Sequence, residues 1–461
     1  MIYTCAGVCC ICQHFFAVSH RTRVKYVRKV YKNMKKIKIA LIGAGDRGTS
    51  YVELGADFCP EMEIVAVADI DPIRRNYIRD KFGLSDEVCF ERGEDLLKLP
   101  KMADAVIIAT QDKQHYHLAM AAIDKGYHML LEKPAAPTPE ECLDIAEAAN
   151  AKGVHAIVCH VLRFTPFFRL LKETIDSGRI GKVMNMIHIE CVGNVHQSHS
   201  YVRGNWRKSS ESSPMILAKS CHDIDILQWL LDEECTRVQS FGSLTYFRKE
   251  NMPEGASEYC YQGCSAEKDC PYSALKIYQQ RNFPPFVGTA TKKHKPTDED
   301  IWKAITETNY GKCVFRCDND VVDHQVVNLE YASGATVSFT MSAFNKGGRK
   351  IRIMGTKGEI TAEMKSDHIT IFDFNTRKTE KIMIADAIQD EEISGGHGGG
   401  DRGIIRSFCQ MLSGTYTGNS ITDITTSINN HLSTFAAEES RLTGKVIVMK
   451  DYKDNLLKSI K

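Results

Sequence analysis

KIKIALIGAGDRG, residues Lys36 to Gly48, is the stretch on which the fold turns. An apolar run of strand type, Ile37 to Ile42, empties into Gly43-Ala44-Gly45-Asp46-Arg47-Gly48, and a helix-compatible segment carrying Tyr51, Val52 and Leu54 follows. Strand, tight turn and helix start are packed into one short span. Each glycine has a chemical task there: Gly43 permits the turn, Gly45 lets a pyrophosphate approach the backbone, and Gly48 lets the helix lie close on the strand. Unpaired N–H groups at the helix start would face the phosphates.

Glycines at this spacing also occur in ordinary loops, so context decides. A second apolar run, Glu63 to Ala68, ends in Asp69, about 20 positions past the last glycine, where a carboxylate would meet the adenosine ribose. Such an acid favours NAD because it repels the 2′-phosphate of NADP. Arg74 and Arg75, close behind it, soften that preference.

A chain of 461 residues, 43% hydrophobic and 25% charged, has room for two domains or one large one of ordinary globular composition. Its formal charge of +1 offers nothing global to attract nucleic acid or an anionic membrane, which leaves small molecules as the expected partners. Residues 1–33 differ from the rest. They hold Cys5, Cys9, Cys10 and Cys12 in an apolar opening, then Arg21, Arg23, Lys25, Arg28, Lys29 and Lys32, with no acid. Basic residues would precede the apolar run of a secretory signal; here the order is reversed. A start at Met34, a weak membrane or acyl anchor, and an unusual targeting piece all account for this extension, the first most economically. The remaining cysteines are mostly scattered singly in apolar elements, as reduced thiols of a cytoplasmic protein would be.

From Met34 to about His155 strands and helices alternate. Ala103 to Thr110 is a continuous apolar strand of the kind buried on both faces; a helix with Leu118, Ala119, Ala122 and Ile123 follows, then the strand Tyr127 to Leu131. Alternation of this type predicts a parallel sheet with helices on both faces and ligands at the carboxyl ends of the strands, where Gly45, Asp69, Gln111 and Lys133 all fall.

GAGDRG, VAVADID, AVIIATQDKQHYHLAMAAIDKGYHMLLEKPAA and HVLRFTP together resemble the glucose–fructose oxidoreductase / inositol dehydrogenase / rhizopine-catabolism (Gfo/Idh/MocA) family, the Glu132-Lys133-Pro134 tripeptide most distinctively. The resemblance runs from Met34 onward. It implies an NAD-binding Rossmann domain over 34–158 and an α+β domain over 159–461 whose large open, mostly antiparallel sheet roofs the nicotinamide and joins a homodimer or homotetramer. Candidate cofactor contacts are Gly43, Gly45, Asp46, Arg47, Gly48, Asp69, Thr110, Gln111, His115, Glu132 and Lys133.

A lysine after a buried strand is by default a solvated strand end. Beside a nicotinamide, the Lys133 ammonium would instead hold a substrate hydroxyl oxygen as hydride leaves its carbon, the role the family gives this lysine. His160 and Arg163 at the crossover, then Arg203 and Trp206 in a loop dense in histidine and aromatic residues, suit sugar binding. A single helix is expected from Pro214 to Leu231. The family carries Asp-x-x-x-His there; His222 and the downstream Asp225 match, but the earlier acid is Ala218, with Lys219 beside it. Lys219 and His222, three apart, would share a helix face. His222 is then the general base, or Lys219 holds substrate while Lys133 handles the proton.

Residues 248–315 read as a loop-rich insertion of little apolar periodicity. Cys260, Cys264, Cys270 and Cys313 in it could hold a structural zinc; free thiols or a disulfide are the alternatives. Beyond Asp320 short strands recur in hairpins, at Val321–Tyr331, Ala335–Ser342, Lys350–Gly355 and Glu359–Met364. A glycine run, Gly395 to Asp401, presents His397, either closing over substrate or serving as a linker. The expected function is an NAD-dependent dehydrogenase of a secondary alcohol on a sugar, glycoside or cyclitol. A redox-neutral enzyme with tightly held NAD and a non-catalytic dinucleotide sensor are the rivals.

Overall fold

The computed structural model describes residues 35–280, 282–293, 295–387, 396–421 and 423–460. The extension 1–33 and the first residue of the glycine run, Gly395, lie outside them. The first sheet contains β1 (Ile37–Ile42), β2 (Met62–Ala68), β3 (Cys89–Phe90), β4 (Ala105–Ile108), β5 (His128–Leu131) and β6 (Ala156–Val158), all paired parallel in the order β3-β2-β1-β4-β5-β6. β1 and β4 are apolar because both faces are covered: Ile39, Leu41, Val106 and Ile108 are fully buried. The order reverses beside β1, between β1 and β4, and the glycine turn and the end of β4 meet at that crevice.

The second sheet has nine strands: β7 (Val183–Cys191), β8 (Cys235–Ser243), β9 (His324–Tyr331), β10 (Thr336–Ser342), β11 (Gly348–Gly355), β12 (Gly358–Glu363), β13 (His368–Asp373), β14 (Thr379–Met383) and β15 (Ile447–Val448). The hairpins after Asp320 occur where the alternation places them. β7 and β10 pair in parallel at the centre, and the other pairs are antiparallel. Along β9 and β10 inward Val327, Leu329, Val337 and Phe339 alternate with solvent-facing residues, so one face packs on helices and the other is open.

Three departures from the sequence reading matter for the site. The helix expected over 214–231 is two, Met215–Ala218 and Cys221–Leu231, interrupted at Lys219 and Ser220. The chain also returns to the first domain late: the helix Gly400–Leu412 packs on Asp46–Phe58 and buries Ile404, Ile405 and Phe408 in the first sheet's core, each apolar side chain contributing about 1.5–3 kcal/mol. The insertion, finally, has a core of its own. Helices Pro284–Thr291 and Asp298–Glu307 gather Ala274, Ile277, Tyr278, Val287 and Ile305 around Val195. No helix among the described residues is long and apolar enough to cross a membrane.

Candidate active site

The turn after β1 is shaped for close approach. Gly43 sits at φ +93°, and a Cβ there would fall 2.5 Å from the Ala109 carbonyl oxygen; one on Gly48 would fall 2.0 Å from the Gly43 oxygen. At Gly45 a Cβ would meet only the Arg74 guanidinium, at 3.6 Å, so the outer side of the turn is open. The helix Asp46–Phe58 has no side-chain cap. Two of its neighbours do: Asp71 accepts from Ile73 N (2.9 Å), and Thr138 from Glu141 N (3.3 Å). The helices Gly93–Lys98 and His115–Asp124 also lack one; at the glycine turn the uncapped first-turn N–H groups are left for an anion.

Asp69 braces this turn, its two oxygens accepting from the backbone N–H of Ala44 (2.6 Å) and of Asp71 (2.8 Å). At the end of β4 the buried Thr110 hydroxyl has no hydrogen-bond partner, and Gln111 is exposed beside it. The open Gly45 face, the uncapped helix and the orphan Thr110 hydroxyl fit a dinucleotide. His115 has a different task. Buried between the Thr110 and Pro134 carbonyls, at 3.2 and 2.6 Å, it ties the ends of β4 and β5 together.

Arg47 and Glu132, both expected at the cofactor, have their side chains engaged with each other. Arg47 donates to Glu132 (2.9 Å), to Tyr51, and with two nitrogens to Asp401 (2.7 and 2.9 Å). Glu132 also accepts from the Tyr51 hydroxyl (2.7 Å) and from Lys133 N (2.9 Å). Burial would raise the Glu132 pKa, but the Arg47 charge overrides it and holds it below the usual value. Only the Arg47 backbone, at the helix start, remains for phosphate. Asp46 accepts from Thr289 of the insertion (2.6 Å), and Lys292 lies 3.9 Å from Asp71. The insertion therefore reaches across the mouth of the cofactor crevice.

Lys133 leaves the end of β5 and donates to the carbonyl oxygen of Ala218, at the helix break, over 2.7 Å. The break separates Lys219 from the helix that carries His222. Lys219 pairs with Glu190 of β7 (3.4 Å), and Arg349 links Glu190 (2.9 Å) to Asp223 (2.7 Å), which His188 also meets (2.8 Å). Glu190 thus serves as the counter-ion of Lys219, the residue beside Ala218. Burial lowers the Lys219 pKa. His222 is pushed well down by burial and then by the Lys133 charge, which favours its neutral imidazole.

His160 joins this group and Arg163 does not. The His160 ring lies 6.1 Å from His222 and 5.3 Å from His431; burial takes its pKa down to about 3, and neither ring nitrogen makes a hydrogen bond. Nδ1 of His222 is likewise buried without a partner. Arg163 is spent on Asp225 through two 2.6 Å bonds, with Asn430 completing the carboxylate's shell, and so holds the crossover rather than a substrate. Arg203 is buried against the insertion, donating to the Lys312 and Tyr272 carbonyls rather than facing a substrate. Trp206 donates to Asp112 (3.2 Å), joining its loop to the first domain. His397 does arrive, its ring 6.1 Å from His222 and Nδ1 3.1 Å from Asp401. His196, unselected from sequence, feels the Lys219 and Lys133 charges and is driven well down, chiefly by burial. A histidine in a mixed polar loop gave no local signal for that.

Two family profiles match the chain. One, described as an oxidoreductase family with an NAD-binding Rossmann fold, covers residues 37–160; the other, the C-terminal alpha/beta domain of that oxidoreductase family, covers 172–449. The putative oxidoreductase YteT of Bacillus subtilis is 26% identical over 358 residues, 75% of this chain and 81% of its own length. Inositol 2-dehydrogenase 2 of Saccharopolyspora erythraea is 30% identical over 209 residues, 43% of this chain, which spans 55% of that enzyme's length. An oxidoreductase from Agrobacterium radiobacter, solved with NAD+, L-tartaric acid and magnesium, superposes with a TM-score of 0.62 over 90% of this chain and 99% of its own, at 16% identity.

Proposed function

The chain belongs to the Gfo/Idh/MocA oxidoreductase family, with its NAD-binding Rossmann domain, and from that premise we propose that it oxidises a secondary hydroxyl of a sugar, glycoside or cyclitol. The observation that carries this reading is the Lys133 ammonium held at the Ala218 carbonyl, at the break before the helix of His222 and close enough for its charge to lower the His222 pKa, with buried His160 and His222 ring nitrogens that make no hydrogen bond. Bound NAD supplies the hydride acceptor. Lys133 moves its ammonium from the Ala218 carbonyl to the substrate oxygen and steadies the charge that builds there. The neutral imidazole of His222 takes the hydroxyl proton. Lys219, fixed by Glu190, and His397, fixed by Asp401, orient neighbouring substrate oxygens. Asp69 favours NAD over NADP.

Screening sugars, glycosides and inositols for NADH absorbance tests the reading. At least one compound should reduce NAD with the wild type and none with Lys133→Ala. Ligand responses unaltered by that substitution, with no NADH formed from any compound, would instead identify a sensor. The bridge from Thr289 to Asp46 favours a second reading, a redox-neutral reaction on NAD that never leaves. In that case the cofactor copurifies and remains oxidised through many turnovers. We also expect a homodimer or homotetramer through the open face of the second sheet, where Ile187, Phe241 and Val326 are exposed; light scattering on the purified protein measures it.

A further inference from the structure

Arg203 is 2% exposed, yet no carboxylate meets it among the described residues. Nε donates to the Lys312 carbonyl (2.7 Å), Nη2 to the Tyr272 carbonyl (2.8 Å) and to Cys260 Sγ (3.8 Å), and Nη1 has no partner. Arg163 and Arg349, also buried, are both answered by acids. A guanidinium taken out of water without a counter-charge costs several kcal/mol or about that order, so the negative charge must come from elsewhere. What surrounds it is sulfur. Cys260, Cys264, Cys270 and Cys313 line one cavity of about 20 Å³ against Arg203, roughly the room a single water-sized particle needs.

We propose that Cys260, Cys264, Cys270 and Cys313 bind one structural zinc ion, with Arg203 as its charge partner. The backbone already brings the arms together. Cys260 N donates to the Gly311 carbonyl and Cys313 N to the Glu258 carbonyl, both over 2.9 Å, while Cys270 N closes a turn on Ala266 (3.0 Å). All four thiols are free. No three of these four sulfurs lie within 4.8 Å of one another, so binding requires their side chains to draw together around the ion. Four thiol protons leave on binding, and the four thiolates with Zn²⁺ carry a net charge of −2 that Arg203 halves while donating N–H to sulfur. The ion then ties residues 258–272 to 311–315, on which the insertion's helices rest.

Metal analysis of the full chain, purified under reducing conditions, should find one zinc per chain. Cys264→Ser and Cys270→Ser should each lose most of it, and Cys89→Ser, outside the cluster, should keep it. Cobalt(II) exchanged into the wild type should give the visible bands of a tetrahedral tetrathiolate. Arg203→Gln should release metal to a competing chelator about 10- to 100-fold more readily, as loss of an outer hydrogen bond to a ligand does. A folded wild-type chain that takes up neither zinc nor cobalt(II) would overturn the proposal. So would disulfides or an iron–sulfur chromophore on these four cysteines.

Discussion

The glycine turn and the insertion face each other across one crevice and are held there by opposite means. The turn rides on β1 and β4, whose side chains are buried on both faces, and its own conformation is enforced by backbone contacts no side chain could share. The insertion rests on a small apolar cluster, on His199 stacked between Phe286 and Tyr310 at ring distances of 4.5 and 4.9 Å, and on its sulfurs. Covering both faces of a sheet yields a site fixed by bulk. A few local ties yield one that can be undone piece by piece.

The sharpest test of that division is Lys133→Ala, which should lower turnover by about 10²–10⁴-fold while leaving NAD affinity and the melting temperature close to wild type. Retention of the rate within tenfold would move the chemistry off the end of β5. Gly48→Val places a side chain against the Gly43 carbonyl. It should cost about 1–3 kcal/mol of stability by thermal melting and weaken NAD binding by calorimetry. Thr289→Val cuts the hydroxyl link to Asp46 and should speed NAD release by about tenfold, the equivalent of roughly 1.4 kcal/mol, with turnover per bound cofactor unchanged. An unchanged release rate would mean that the insertion covers the crevice without closing it.

Acid distinguishes the halves more gently. Burial depresses the pKa of His160 on the chemical side and of His199 under the insertion to about 3 each. Both fold neutral, so their contribution is complete above the unfolded value near 6.5 and is lost as pH falls from there toward 3, at about 1.4 kcal/mol per pH unit for each. His199→Phe should remove one such increment from the slope of unfolding free energy against pH between about 6 and 4.

The first domain was legible because its signals are contiguous: an apolar strand, glycines at set spacing and an acid at the next strand end all lie within one unit of chain. Lys133 was singled out at a strand end, His160 at the crossover and His222 by a motif resemblance; the His160 and His222 rings lie 6.1 Å apart, and Lys133 is held at the Ala218 carbonyl just before the helix of His222. The Arg47 side chain goes to Asp401, 354 positions away; a charged residue in a phosphate turn carries no mark of where its side chain goes. Arg163 failed for the same reason, since Asp225 was read as part of a motif rather than as its counter-ion. The helix break at Lys219 was hidden because Ala218 to Cys221 contains neither glycine nor proline. β8 and β14 were passed over because their alternation is weak, and β13 because only Ile369 and Ile371 carry its buried face. The insertion's apolar residues are too sparse in sequence to announce a cluster that forms only around Val195.

Arg47 links three segments that meet nowhere else in the sequence: the helix that begins the cofactor turn, the residue before Lys133, and the arm that carries His397. Swinging that arm away removes Asp401 from a guanidinium already committed to Glu132, and exposes a salt-bridged triad whose balance depends on all three members. The arm is therefore biased toward its docked position before any ligand arrives. The same ion pair thereby holds His397, bonded to Asp401, against the domain that carries the glycine turn.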